Sequence, residues 1–130
     1  MPDARFPVEV VRGIPVVAAP EEIDITNATG LRTALLEASA DGPGTLVVDM
    51  TRTLFCDSAG LHALVGAHRR ALAEGGGVLL AVSGEPVLRV LTLTGLDTVI
   101  PNFTSLEEAL AHAPGAASPA QEPCGPQLPA

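Results

Sequence analysis

The stretch TLVVDMTRTLFCDSAGLHALVGAHRRALAEGGGVLLAV, residues 45–82, decides the fold. It opens on Thr45-Leu46-Val47-Val48-Asp49-Met50, a short continuous run rich in β-branched residues, as expected of a central strand buried on both faces. After Thr51–Cys56 a helical pattern begins at Asp57 or Ser58. Leu61, Leu64, Val65, His68 and Leu72 follow at i, i+3, i+4, i+7 and i+11. Gly75-Gly76-Gly77 ends that helix, and Val78–Val82 reads as a second buried strand. A strand, a long helix and a strand in this order make one parallel crossover unit.

Working outward, the same alternation continues on both sides. Upstream, Phe6–Ala19 is rich in Val and Ile and predicts two short strands, about 6–11 and 14–19, joined by a turn at Arg12-Gly13. Glu22–Asn27 is a polar connection ending in cap-forming residues. Leu31, Leu35, Leu36 and Ala38 then recur at helical spacing until Asp41-Gly42-Pro43-Gly44. Downstream, a helix over about 86–93 has Pro86 in its first turn, where the missing N–H has no helical partner, and Gly95 as its cap. Val99-Ile100 reads as a last short strand and Leu106–Leu110 as a closing helix. The prediction is one α/β domain: a mixed, mostly parallel sheet of four to five strands with about four α-helices.

The chain has 130 residues, 7 basic side chains, all of them Arg, 15 acidic ones and a formal charge of −8. That length fits a single domain. The hydrophobic share, 47 %, suffices for a core without disulfides. Neutralising nucleic-acid phosphates takes clustered positive charge, which this sequence lacks, and an acidic domain is better suited to a basic protein surface. Neither a signal peptide nor a run of 18 apolar residues is present, so the expectation is a cytoplasmic protein without membrane or nucleic-acid contact. Cys56 and Cys124 form no CxxC or Cys/His spacing, and the three scattered histidines argue against a metal site. From Ala113 to Ala130 the chain carries five of its 12 prolines and one charge, which predicts a disordered tail after a domain of residues 1–112.

The chemistry concentrates in Phe55-Cys56-Asp57-Ser58-Ala59-Gly60-Leu61. A serine here sits at or beside a helix N-cap, where unpaired N–H groups and the helix dipole favour an anion. Gly60, lacking Cβ, leaves room for a partner's backbone or a phosphate to approach. Phosphorylation of Ser58 would add about −1.5 to −2 charges at a place that tolerates them. An ordinary capping sequence explains the same residues without a switch. Ser58 as a catalytic nucleophile would need a base and an orienting acid; His62 lies one turn on, but the surroundings are not G-x-S-x-G. Glu22–Asn27, at the same sheet end, is the second candidate surface.

Four segments together resemble the STAS domain of bacterial anti-sigma factor antagonists: Val47–Met50, Phe55–Leu61, Gly84–Leu91 and Thr94-Gly95-Leu96, with Glu22-Ile23-Asp24 matching a short family motif. The resemblance spans about residues 8–112. It implies a non-enzymatic protein, without cofactor or metal, that binds an anti-sigma factor serine kinase of ATPase fold when unphosphorylated and so releases the sigma factor. It implies Ser58 as the phosphoacceptor and a PP2C-type phosphatase as the reversing enzyme. Asp24, Ile25, Thr26, Asn27, Asp57, Ala59 and Gly60 would form the partner-binding surface. Ala59 stands where the family often has a second serine, leaving one candidate hydroxyl. Two other readings stay open: a STAS subunit of a signalling scaffold or lipid-transporter complex in which Ser58 is only a cap, and a small hydrolase.

Overall fold

The computed structural model describes residues 6–40 and 44–113. The expected tail beyond Ala113, Cys124 and the helix stop at 41–43 lie outside the described residues.

Val8–Val11 (β1) and Ile14–Ala18 (β2) form the expected hairpin. Its two-residue turn puts Arg12 and Gly13 at φ 55° and 82°, the left-handed pair that matches strand twist. Ala28–Ala40 (α1) follows a two-residue strand, Glu22–Ile23 (β3). Thr45–Asp49 (β4), Phe55–Cys56 (β5), Ser58–Ala73 (α2) and Gly77–Ala81 (β6) come next. Glu85–Thr94 (α3), a 3-10 turn at Leu96–Thr98, Asn102–Phe103 (β7) and Leu106–His112 (α4) complete the described chain.

The main sheet runs β1-β2-β4-β6-β7, antiparallel only at β1–β2. Each parallel connection advances the sheet one strand in the same direction, so crossovers of one hand place α1, α2 and α3 on one face. Strand alternation supplies the two cores. Val17, Leu46, Val48, Val78 and Leu80 meet Leu31, Leu35, Leu64, Ala67, Val87 and Leu91 of those helices. Val16, Val47, Leu79 and Ala81 point the other way, onto Ala109 and Leu110 of α4. β4 and β6 are buried on both faces, as their continuous apolar runs require.

Three details differ from expectation. Val99 and Ile100 are not a strand: both amides donate to the Leu96 carbonyl at 2.9 Å, closing the 3-10 turn. The strand begins after Pro101, whose carbonyl accepts from Leu80 N at 2.9 Å, and Asn102 pairs with Leu80. Along α2 the buried residues are Gly60, Leu61, Ala63, Leu64, Ala67, His68 and Ala71, while Leu72 is exposed and Val65 only half-buried. Small residues bring that helix close to the sheet. Finally, β3 and β5 form a separate two-stranded ladder outside the main sheet.

His68 is almost fully buried, and its Nδ1 accepts from the Val78 amide at 3.0 Å. Burial holds its pKa below the usual histidine value, partly opposed by a backbone hydrogen bond to Val99. The neutral ring is therefore built into the junction of α2, β6 and the 3-10 turn. The unfolded chain takes up the proton first, so stability is complete above pH ~6.5 and falls as pH drops through that value toward the folded pKa. Thermal melts should show this decline between neutral and mildly acid pH. His68→Asn, which keeps an acceptor near Val78 but does not titrate, should flatten it; an unchanged slope would show that other groups cause the loss.

Candidate functional site

The β3–β5 ladder builds the site. Glu22 pairs with Phe55 and Ile23 with Cys56, and Asp57 N donates to Ile23 O at 3.0 Å. Leu54 N and Phe55 N both donate to Glu21 O, at 2.7 and 3.2 Å. Parallel pairing makes both chains leave the ladder at the same end. The 24–27 loop therefore lies beside the start of α2, as the sequence suggested.

At that start, Asp57 is the N-cap, in extended geometry, and its Oδ1 accepts from Gly60 N at 3.1 Å. This satisfies one of the unpaired amides of the first turn. Ser58 is the first helical residue and is exposed. Among the described residues no hydrogen bond holds its hydroxyl, and the remaining first-turn amides favour an anion there.

Loop 24–27 is tied by its own side chains. Asp24 Oδ1 accepts from Thr26 N at 2.9 Å and from the Thr26 hydroxyl. Those two bonds, the hydroxyl foremost, hold the Asp24 carboxyl below its usual pKa, so it is ionised at neutral pH. As a plain loop this segment offers Thr26 or Asn27 as a cap for α1, and Asn27 directly precedes that helix. Asn27 turns back instead: Oδ1 accepts from Asp24 N and Nδ2 donates to Glu22 O, both at 2.9 Å. The loop is thereby fixed with Ile25 at its tip, 77 % exposed. An apolar side chain held out by a polar loop is available to a partner and contributes nothing to the core.

Gly60 departs from expectation. It is buried, and a Cβ built there would stand 2.6 Å from Ile23 Cγ2 and 2.7 Å from Cys56 Sγ. The space left by the missing side chain faces inward, so Gly60 lets α2 seat on the ladder and does not open the surface to a partner. Beneath it, burial first and Asp57 second push the Cys56 thiol up to about 12, leaving it protonated and unreactive. Of the other expected surface residues, Thr26 is exposed and Asp24, Asn27, Asp57 and Ala59 are half-buried.

The geometry does not assemble a hydrolytic triad. Among the described residues no hydrogen bond joins Ser58 to His62, and the neighbouring carboxylate of Asp57 is turned onto Gly60 N. Sequence reading also overlooked a groove beside the site, between α1 and α2, that includes Arg32 and His62. It joins two helices far apart in sequence, which no local pattern reveals.

This arrangement of sheet, ladder and capped serine can be compared with known proteins. The sequence matches the family model of the STAS domain over residues 5–109. The chain belongs to the STAS family. Among curated relatives, the STAS chain is 31 % identical over 98 residues to the anti-sigma-F factor antagonist RsfB of Mycobacterium tuberculosis, covering 75 % of this chain and 80 % of the relative. Among solved structures, an anti-sigma factor antagonist from Mycobacterium paratuberculosis superposes with a TM-score of 0.76 at 32 % identity, covering 84 % and 92 % of the two chains. The anti-sigma factor antagonist SpoIIAA in its unphosphorylated form gives 0.71 at 25 % identity, covering 88 % of this chain and all of that one. The STAS fold read from the four sequence segments is thus the fold of the chain.

Proposed function

We propose that this STAS domain is an anti-sigma factor antagonist that binds its partner while Ser58 is unmodified and is silenced when Ser58 is phosphorylated. The similarity to RsfB and to the Mycobacterium paratuberculosis antagonist supports the role, and SpoIIAA is a relative for which phosphorylation defines a state. The observation that carries the switch is the position of Ser58: exposed, first in its helix, and beside the exposed tip of the 24–27 loop.

The partner is an anti-sigma factor serine kinase of ATPase fold. In the unphosphorylated state the domain occupies that kinase and frees the sigma factor. The Ser58 oxygen attacks the γ-phosphorus of ATP bound to the kinase, ADP leaves, and the hydroxyl proton passes to a base of the kinase. A PP2C-type phosphatase hydrolyses the ester and restores binding. The domain itself is a ligand and a substrate, with no catalytic residue or cofactor of its own, and it works in the cytoplasm. Among the described residues no helix is long and apolar enough to cross a membrane.

Incubated with such a kinase and ATP, the chain should gain one phosphate, mapped by mass spectrometry to Ser58, and Ser58→Ala should gain none. Equal labelling of Ser58→Ala would overturn the assignment.

A further inference from the structure

Beside Ser58, a groove of about 350 Å³ runs between α1 and α2. Ile25, Thr29, Arg32, Ala59, His62 and Gly66 line it, and no acidic residue does. Arg32, like Arg52, Arg69 and Arg89, has no carboxylate within 4.0 Å among the described residues, and of these four it is the one that lines the groove. Its guanidinium lies across Gly66: a Cβ there would be 3.3 Å from Nε and 3.7 Å from Cζ. Glycine inside a helix is unfavourable relative to alanine. Here the missing side chain gives the guanidinium a seat in the groove.

Resting on the antagonist reading above, we infer that this groove receives a carboxylate carried on an apolar segment of the anti-sigma partner, with Arg32 as its counter-charge. The groove matches that chemistry in three ways. Its walls are mostly apolar, its fixed charge is positive, and its planar guanidinium presents paired donors to a carboxylate. His62 lies on the opposite wall. The groove also couples to the switch. Ala59 also lines it, so a phosphate on the preceding Ser58, about 12 Å along α2 from Gly66, adds negative charge at one end of the groove and opposes an incoming carboxylate.

The test titrates the purified anti-sigma factor kinase with wild-type chain, Arg32→Glu, Gly66→Ala and Ser58→Glu. Arg32→Glu should weaken binding about 10- to 100-fold, below the range for a fully buried charge pair because Arg32 is exposed. Gly66→Ala should raise the melting temperature, because the exposed guanidinium can yield, yet weaken binding several-fold by displacing it. Exchanging the responsible Asp or Glu of the kinase for Arg should restore affinity to Arg32→Glu. If Arg32→Glu binds as wild type while Ser58→Glu does not, the groove is not the carboxylate site and the switch stands. If Arg32→Glu is weak and Ser58→Glu binds normally, the groove stands and the switch fails. Wild-type affinity in both overturns both.

Discussion

Ser58→Glu is expected to lower affinity for the anti-sigma factor by about 10-fold or more, with phosphoserine lowering it further because it carries up to about −2 charges. The loss should come from the interface and not from the fold. Ser58 is exposed at the first helical position, where an anion is stabilised by roughly 0.3–1 kcal/mol through the helix dipole. Its melting temperature should therefore match or slightly exceed that of the parent. Binding is another matter: the new charge stands next to Asp57 and at the same end of the β3–β5 ladder as the ionised Asp24, on a chain already at −8. The partner carboxylate inferred for the groove that Ala59 lines would be repelled by that added negative charge. Ser58→Ala should bind as the parent does. Calorimetric titration of the three proteins, with melts alongside, separates the two effects; weak binding together with a large drop in melting temperature would point to misfolding instead.

Gly60→Ala should have the largest stability effect of any single methyl added to the site. The new carbon meets Ile23 Cγ2 at 2.6 Å and Cys56 Sγ at 2.7 Å, and neither side chain has room to move, since both are buried. Overpacking of this kind costs about 1–3 kcal/mol, or very roughly 5–15 °C in melting temperature for a domain of this size. The strain falls on the β3–β5 ladder, which sets Asp57 and the 24–27 loop side by side. Affinity for the anti-sigma factor should therefore drop with stability, although Gly60 itself is buried. Ile23→Ala removes the clashing Cγ2, so the double variant should be less destabilised than the sum of the singles. Strict additivity in that cycle would mean the clash is relieved elsewhere.

The first four strands of the main sheet and the four helices were legible because their signals are local. β4 and β6 carry continuous apolar runs, α1 and α3 carry helical periodicity, and Pro86 and Gly95 mark the ends of α3. Ser58 was legible for the same reason, since Asp-Ser before an apolar helix is a capping signature. What escaped is tertiary in origin. Two residues cannot show alternation, so Glu22–Ile23 and Phe55–Cys56 become strands only by pairing with each other. Val99 and Ile100 have the composition of a strand, yet the Leu96 carbonyl takes both amides and the sheet resumes beyond Pro101. Gly60 was read from the right fact, a missing Cβ, with the wrong direction. Only the packing of α2 on Ile23 and Cys56 shows that the gap faces inward. Arg32 across Gly66 is a contact between two helices and has no trace in either helix alone.

The most direct measurement follows sigma release. A labelled sigma factor held by the anti-sigma factor is challenged with the chain, either unphosphorylated or fully phosphorylated at Ser58, and fluorescence anisotropy reports its freedom. The unphosphorylated chain should release sigma in a saturable, concentration-dependent manner, and the phosphorylated chain should release none over the same range. Equal release by both forms, or none by either, would contradict a Ser58-controlled antagonist.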